Sequence, residues 1–138
     1  MRASDYQSAA SEHERGLAAF VASPYRKRFR EALKTPKLRD RLRARFAHTN
    51  YLDPRFANRL TSGNRSVPAI LTSLRQRGAP DKCHIFSEND DIDGREMEID
   101  DAIAAIHSRG WGTFVSCLPG KLAYFEDEHG ERHLLEHP

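Results

Sequence analysis

Three proline junctions decide how the first half of this 138-residue chain can fold. Ser23-Pro24, Thr35-Pro36 and Asp53-Pro54 each set a proline directly behind an oxygen-bearing side chain. That pairing starts a helix, because the side chain satisfies a free backbone N–H while proline, which has none, takes the first helical position. Behind these starts, Tyr25, Phe29, Ala32 and Leu33 form one apolar stripe, Leu38, Leu42 and Phe46 a second, and Phe56 and Leu60 suit a short third. Ahead of them, Ser4 with Gln7 reads as a capping box, and Ala10, His13, Leu17, Phe20 and Val21 carry a first helix to about Ala22. Ser66 caps a last helix bearing Val67, Ile70, Leu71 and Leu74, which Gly78 and Pro80 close.

The period then changes. Cys83-His84-Ile85-Phe86 reads as a strand, Ile99 to Arg109 as a helix ended by Gly110, and Thr113 to Leu118, Lys121 to Glu126 and Arg132 to Leu135 as three strands. Pro119-Gly120 and Asp127-Glu128-His129-Gly130 supply the reversals. The expected product is one α+β domain over 1–138, in which four or five N-terminal helices pack on a four-stranded mixed sheet of β-α-β-β-β order. A basic helical part (1–78) would join an acidic part (81–138). Of Tyr124 and Phe125, on opposite faces, one is expected in the core.

No apolar run approaches the ~20 residues of a membrane span, and no apolar stretch stands behind Arg2 as in a secretory leader. A cytoplasmic location and no membrane partner are the expectation. Cys83 and Cys117, 34 positions apart, read as buried, reduced thiols.

The formal charge of +2 hides a strong partition. Residues 24–77 hold 15 lysines and arginines against 3 acids, whereas residues 81–138 hold 5 against 14. Clustered cations on consecutive helices are the footprint of polyanion binding. Arg26, Lys27, Arg28, Arg30, Lys37, Arg39, Arg41, Arg43 and Arg45 are therefore candidate phosphate contacts, with nucleic acid or an acidic protein as partner. At 100° per residue, Arg39 and Arg43 flank one side of the Leu38-Leu42-Phe46 stripe and Arg41 and Arg45 the other. Such flanking also solubilises an ordinary amphipathic helix, and the acidic half offers these cations partners within the molecule or across a homo-oligomer.

The acidic stretch from Ser87 to Gly94 supports a second reading. Asn89, Asp91, Asp93, Gly94 and Asp100 match positions one, three, five, six and twelve of a calcium loop. Alternatively, Glu88, Asp91 and Asp93 would hold Mg2+ or Mn2+ with His84 moving protons, as in a small metal-dependent nuclease. A solvated turn with Gly94 at positive φ accounts for the same residues without a metal. No C-x5-R, G-x-S-x-G, H-E-x-x-H or phosphate-loop pattern occurs, and a non-enzymatic binding or regulatory module is the expected class.

Overall fold

The computed structural model describes residues 3–46 and 49–138, the side chains of 3–8 and 49 excepted. The capping box expected of Ser4 and Gln7 rests on side chains that lie outside those described. The first half is helical: α1 (Ala3–Gly16), a 3-10 turn (Leu17–Phe20), α2 (Ser23–Ala32), α3 (Pro36–Arg45) and, after a short strand β1 (Ala57–Arg59), α4 (Val67–Gln76). The second half runs β2 (Lys82–Ser87), β3 (Glu96–Glu98), α5 (Ile99–Ile106), β4 (Thr113–Leu118), β5 (Leu122–Glu126) and β6 (Arg132–Glu136). Two of the caps read from sequence are made: Thr35 Oγ1 accepts from Leu38 N at 3.3 Å and Ser66 Oγ from Ala69 N at 3.2 Å.

The six strands form one open sheet, antiparallel throughout, in the order β1-β6-β5-β4-β2-β3. This corrects the expected four-stranded mixed sheet, and two three-residue strands account for the difference. β3 returns the chain along β2, so that Glu98 stands opposite Lys82, at the beginning of β2. From there α5 climbs back, and β4 starts with Thr113 opposite Ser87 at the far end of β2. A parallel β2-α5-β4 crossover is thereby replaced by an antiparallel pair. The second correction falls at Asp53-Pro54. Asp53 caps no helix there: its carboxylate accepts from Arg55 N at 3.0 Å and from the guanidinium groups of Arg26 and Arg55. The chain turns instead into β1, which covers the edge of β6 with Ala57 opposite Leu135. Both edge strands are short and charged, which discourages pairing with further chains.

Helices cover both faces of the sheet. One face carries Cys83, Ile85, Val115, Cys117, Leu122, Tyr124 and Leu134 against Ile70 and Leu74 of α4 and Ile99, Ala102, Ile103 and Ile106 of α5. The other carries Phe86, Phe114, Ala123, Phe125 and Leu135 against Leu17 and Phe20, Phe29 of α2, and Leu42 and Phe46 beside α3. Alternate residues of β4 and β5 are thus buried on both sides, and Tyr124 and Phe125 both belong to the core. The single-faced reading underestimated the core because α4 and α5 pack together on the face opposite the other helices.

α1 ends earlier than its apolar spacing suggests, at Gly16, where a backbone crossing intervenes. A Cβ on Gly16 would stand 2.5 Å from Gly120 N and 3.0 Å from Pro119 C, main-chain atoms of the β4–β5 reversal. Gly16→Ala is expected to cost about 1–3 kcal/mol, as overpacking against backbone does. Urea denaturation checks this, and an unchanged midpoint would show that the two segments separate without penalty.

Candidate polyanion interface

The nine basic residues singled out from sequence divide into two sets by what surrounds their guanidinium and ammonium groups. Arg26, Arg39 and Arg43 turn inward. Arg26 donates to Val21 O at 2.8 Å and to Asp53 Oδ2 at 3.0 Å. Arg39 lies across Phe86 with its guanidinium carbon 4.9 Å from the ring centroid. It donates to both oxygens of Glu14 on α1, at 2.8 Å each, and to both oxygens of Asp93 in the β2–β3 loop. One turn on, Arg43 reaches Ser87 O at 2.8 Å and pairs with Asp40, Asp90 and Asp93. These three arginines are removed from the candidate contact surface: carboxylates already hold them, and two of the three are bound by the acidic half.

The other six, Lys27, Arg28, Arg30, Lys37, Arg41 and Arg45, are exposed. Among the described residues none of them makes a side-chain hydrogen bond or ion pair. Arg28 of α2 and Arg41 and Arg45 of α3 stand around a groove of about 200 Å³ whose remaining lining is Ala32, Leu38 and Leu42. Leu38, 42% exposed, is the large exposed hydrophobic side chain among the described residues. The local sequence dictates this arrangement. Arg39 and Arg43 lie four apart on the flank of α3 that meets the sheet, and Arg41 and Arg45 lie four apart on the flank that meets water. The result is three cations converging on an apolar floor, with like charges close together and no carboxylate among the lining residues. Such a site lowers its self-repulsion by taking an anion.

The acidic loop is arranged otherwise than either metal reading requires. Glu88 Oε1 accepts from Gly112 N at 2.7 Å, Asn89 Oδ1 from Asp91 N at 3.0 Å, and Asp93 from Arg39 and from Ser87 N. Asp91 is exposed, and Asp100, beyond β3 on α5, pairs with Arg75 at 2.7 Å. Glu88, Asn89, Asp91, Asp93 and Asp100 therefore face separate partners. Among the described residues no group of three or more His, Cys, Asp or Glu is placed to hold a metal ion. The stretch is the connection of a hairpin, with Gly94 at φ 76° donating its N–H to Ile85 O.

Sequence reading missed the network that fastens α1 to the sheet. His84 Nε2 lies 2.7 Å from Glu14 Oε2, His13 Nδ1 lies 2.7 Å from Ser116 Oγ, and the two imidazoles stack 5.7 Å apart. Burial pushes the Glu14 carboxyl up, but hydrogen bonds from His84 and Arg39 outweigh it and hold the group below its ordinary value. Burial, then the neighbouring His84, lowers His13, and burial lowers His133. Two hydrogen bonds from Arg55, side chain and backbone, help draw Asp53 down to about 2. Ser116 is 1% exposed, so its hydroxyl is withdrawn from solvent beneath the half-buried His13.

The signs combine into a pH prediction. Buried histidines with lowered values stabilise the fold fully above about pH 6.5, where the unfolded chain too is neutral, and the stability falls as unfolded histidines take up protons below it. Lowered carboxyls contribute above about pH 4.5 and are lost as pH falls toward 2. The urea midpoint is expected to decline between pH 7.5 and 5.5 and more steeply below 4.5. A midpoint constant from pH 7.5 to 5.5 would contradict the histidine part.

A larger cavity of about 570 Å³ lies at the other end of the sheet beside Phe56, Leu118 and Leu122. Two of its cations are already engaged, Arg55 by Asp53 and Arg77 by Glu136, so it is the poorer anion site. Compared with known proteins, the chain matches no family model, no curated protein and no solved structure. No helix among the described residues is long and apolar enough to cross a membrane.

Proposed function

We propose that this protein is a non-enzymatic binding module for a phosphate-bearing polyanion, with nucleic acid as the ligand class, held on the outer face of α2 and α3. The observation that carries the reading is the triad Arg28, Arg41 and Arg45, which no carboxylate among the described residues engages, around a groove floored by Leu38. Phosphates pair with the guanidinium groups in bidentate fashion, while Leu38 gives a sugar or base edge an apolar contact. Lys27, Arg30 and Lys37 extend the positive field along the same two helices and steer the strand toward the groove. Such contacts position a backbone without reading its sequence.

Fluorescence anisotropy with labelled single-stranded RNA and DNA across a salt series tests this. Binding is expected at low salt and falls steeply as salt rises. At about 0.7 logarithmic units of slope per phosphate contact on a single strand, replacing the three groove arginines with alanine flattens the salt dependence by about 2. Absence of binding at low salt would overturn the reading.

A further inference from the structure

The two cysteines occupy a more specific position than two buried thiols need. β2 and β4 pair with His84 opposite Ser116 and Ile85 opposite Val115. Continuing that register by one residue sets Cys83 opposite Cys117. Ile85 donates its N–H to Arg95 O, on the β3 side of β2. Cys83, two residues earlier, directs its backbone the same way, so Cys83 and Cys117 form a non-hydrogen-bonded pair between β2 and β4. That pair type brings Cα atoms to about 4.5 Å, within the roughly 4.4–6.8 Å span that a disulfide bridges. The Cys83 thiol points at the Cys117 sulfur 3.2 Å away, and both residues are 1% exposed among Ile85, Ile99, Val115 and their neighbours.

We infer that Cys83 and Cys117 are an intramolecular oxidation site, joined as a cross-strand disulfide by hydrogen peroxide. One thiol attacks the O–O bond, giving a sulfenic acid and water. The second thiol then displaces the sulfenic oxygen, forming the S–S bond and releasing a second water. The peroxide takes up the two electrons that the sulfurs lose, and the thiol protons leave in the two waters. The apolar packing around the sulfurs, with both residues 1% exposed, excludes bulky disulfides as oxidants. The hydrogen bond with Cys83, together with burial, holds the Cys117 thiol well above its ordinary value, and because the thiolate is the attacking species the reaction accelerates with pH. The product ties β2 to β4 in the middle of the sheet.

The native protein is treated with hydrogen peroxide, quenched, alkylated in denaturant and digested with trypsin. The expected product is peptide 83–95 linked to peptide 110–121 in a monomer lighter by two hydrogen atoms, with both alkylatable thiols lost and both restored by dithiothreitol. The urea midpoint of the oxidised protein is expected to rise. Recovery of both cysteines in alkylated form, their conversion to sulfinic or sulfonic acids, or linkage between chains would each overturn the inference.

Discussion

Glu126→Ala is expected to lower the stability of the protein by about 4 kcal/mol, the cost of leaving one partner of a buried ion pair without the other. Glu126 is fully buried at the end of β5, and its two oxygens serve three groups. Oε1 accepts from Arg132 Nε at 3.0 Å and from the Tyr124 hydroxyl at 2.9 Å, and Oε2 accepts from Ser108 N at 2.9 Å. Arg132 closes the circuit by donating to Ser108 Oγ at 2.8 Å. Ser108 sits at φ 62°, a conformation that non-glycine residues avoid. The carboxylate thus also holds the strained residue that ends α5. Burial, then the charge of Glu126, raises the Tyr124 hydroxyl, which keeps it a donor at all ordinary pH. Removing the carboxylate leaves a guanidinium 7% exposed and a buried phenol without their acceptor. Glu126→Gln, which retains one acceptor oxygen, is expected to cost clearly less. Urea unfolding followed by circular dichroism separates the two, and equal losses for both variants would show that charge plays no part.

The second large effect is expected at Asp93. Its side chain, 11% exposed, binds Arg39 and accepts from Ser87 N. Asp93→Ala should cost about 3 kcal/mol, since Arg39 keeps only Glu14 and Arg43 loses one of its carboxylates. The variant also takes one carboxylate away from each of two arginines in the helix that carries the proposed interface, leaving their other partners in place. Polyanion affinity is therefore expected to stay level or rise while stability falls. A fall in both would indicate that the β2–β3 loop, rather than the outer face of α3, meets the ligand.

Helix starts were legible at Ser23, Thr35 and Ser66, although α2 begins at Ser23 itself, behind Ala22 and without the side-chain cap expected of Ser23. Thr35 and Ser66 act as their spacing demands, whereas Asp53 has the same pattern but lies beside Arg26 and Arg55, and two guanidinium groups outbid a helix N-terminus. β1 and β3 left little trace because three residues hold too few alternations to declare a period, and both exist through tertiary pairing with β6 and β2. The flanks of α3 could be separated by angle alone. Which flank met carboxylates could not, because Glu14 and Asp93 lie 25 and 54 positions from Arg39 and reach it only after folding. The same distance in sequence hid the His13–Ser116 contact, although the alternation in β4 already placed Ser116 opposite in face to Cys117.

The central claim is that a local cluster, rather than the basic helices as a whole, takes the anion. Its most direct test compares Arg28→Glu/Arg41→Glu/Arg45→Glu with the charge-matched Arg15→Glu/Arg95→Glu/Arg109→Glu, three exposed positions away from the groove, by anisotropy with one labelled RNA at one low salt concentration. The account predicts that the groove variant loses binding while the control, of identical net charge, keeps most of it. Equal loss in the two variants would contradict it, showing that affinity follows total charge and that the groove has no special place in it.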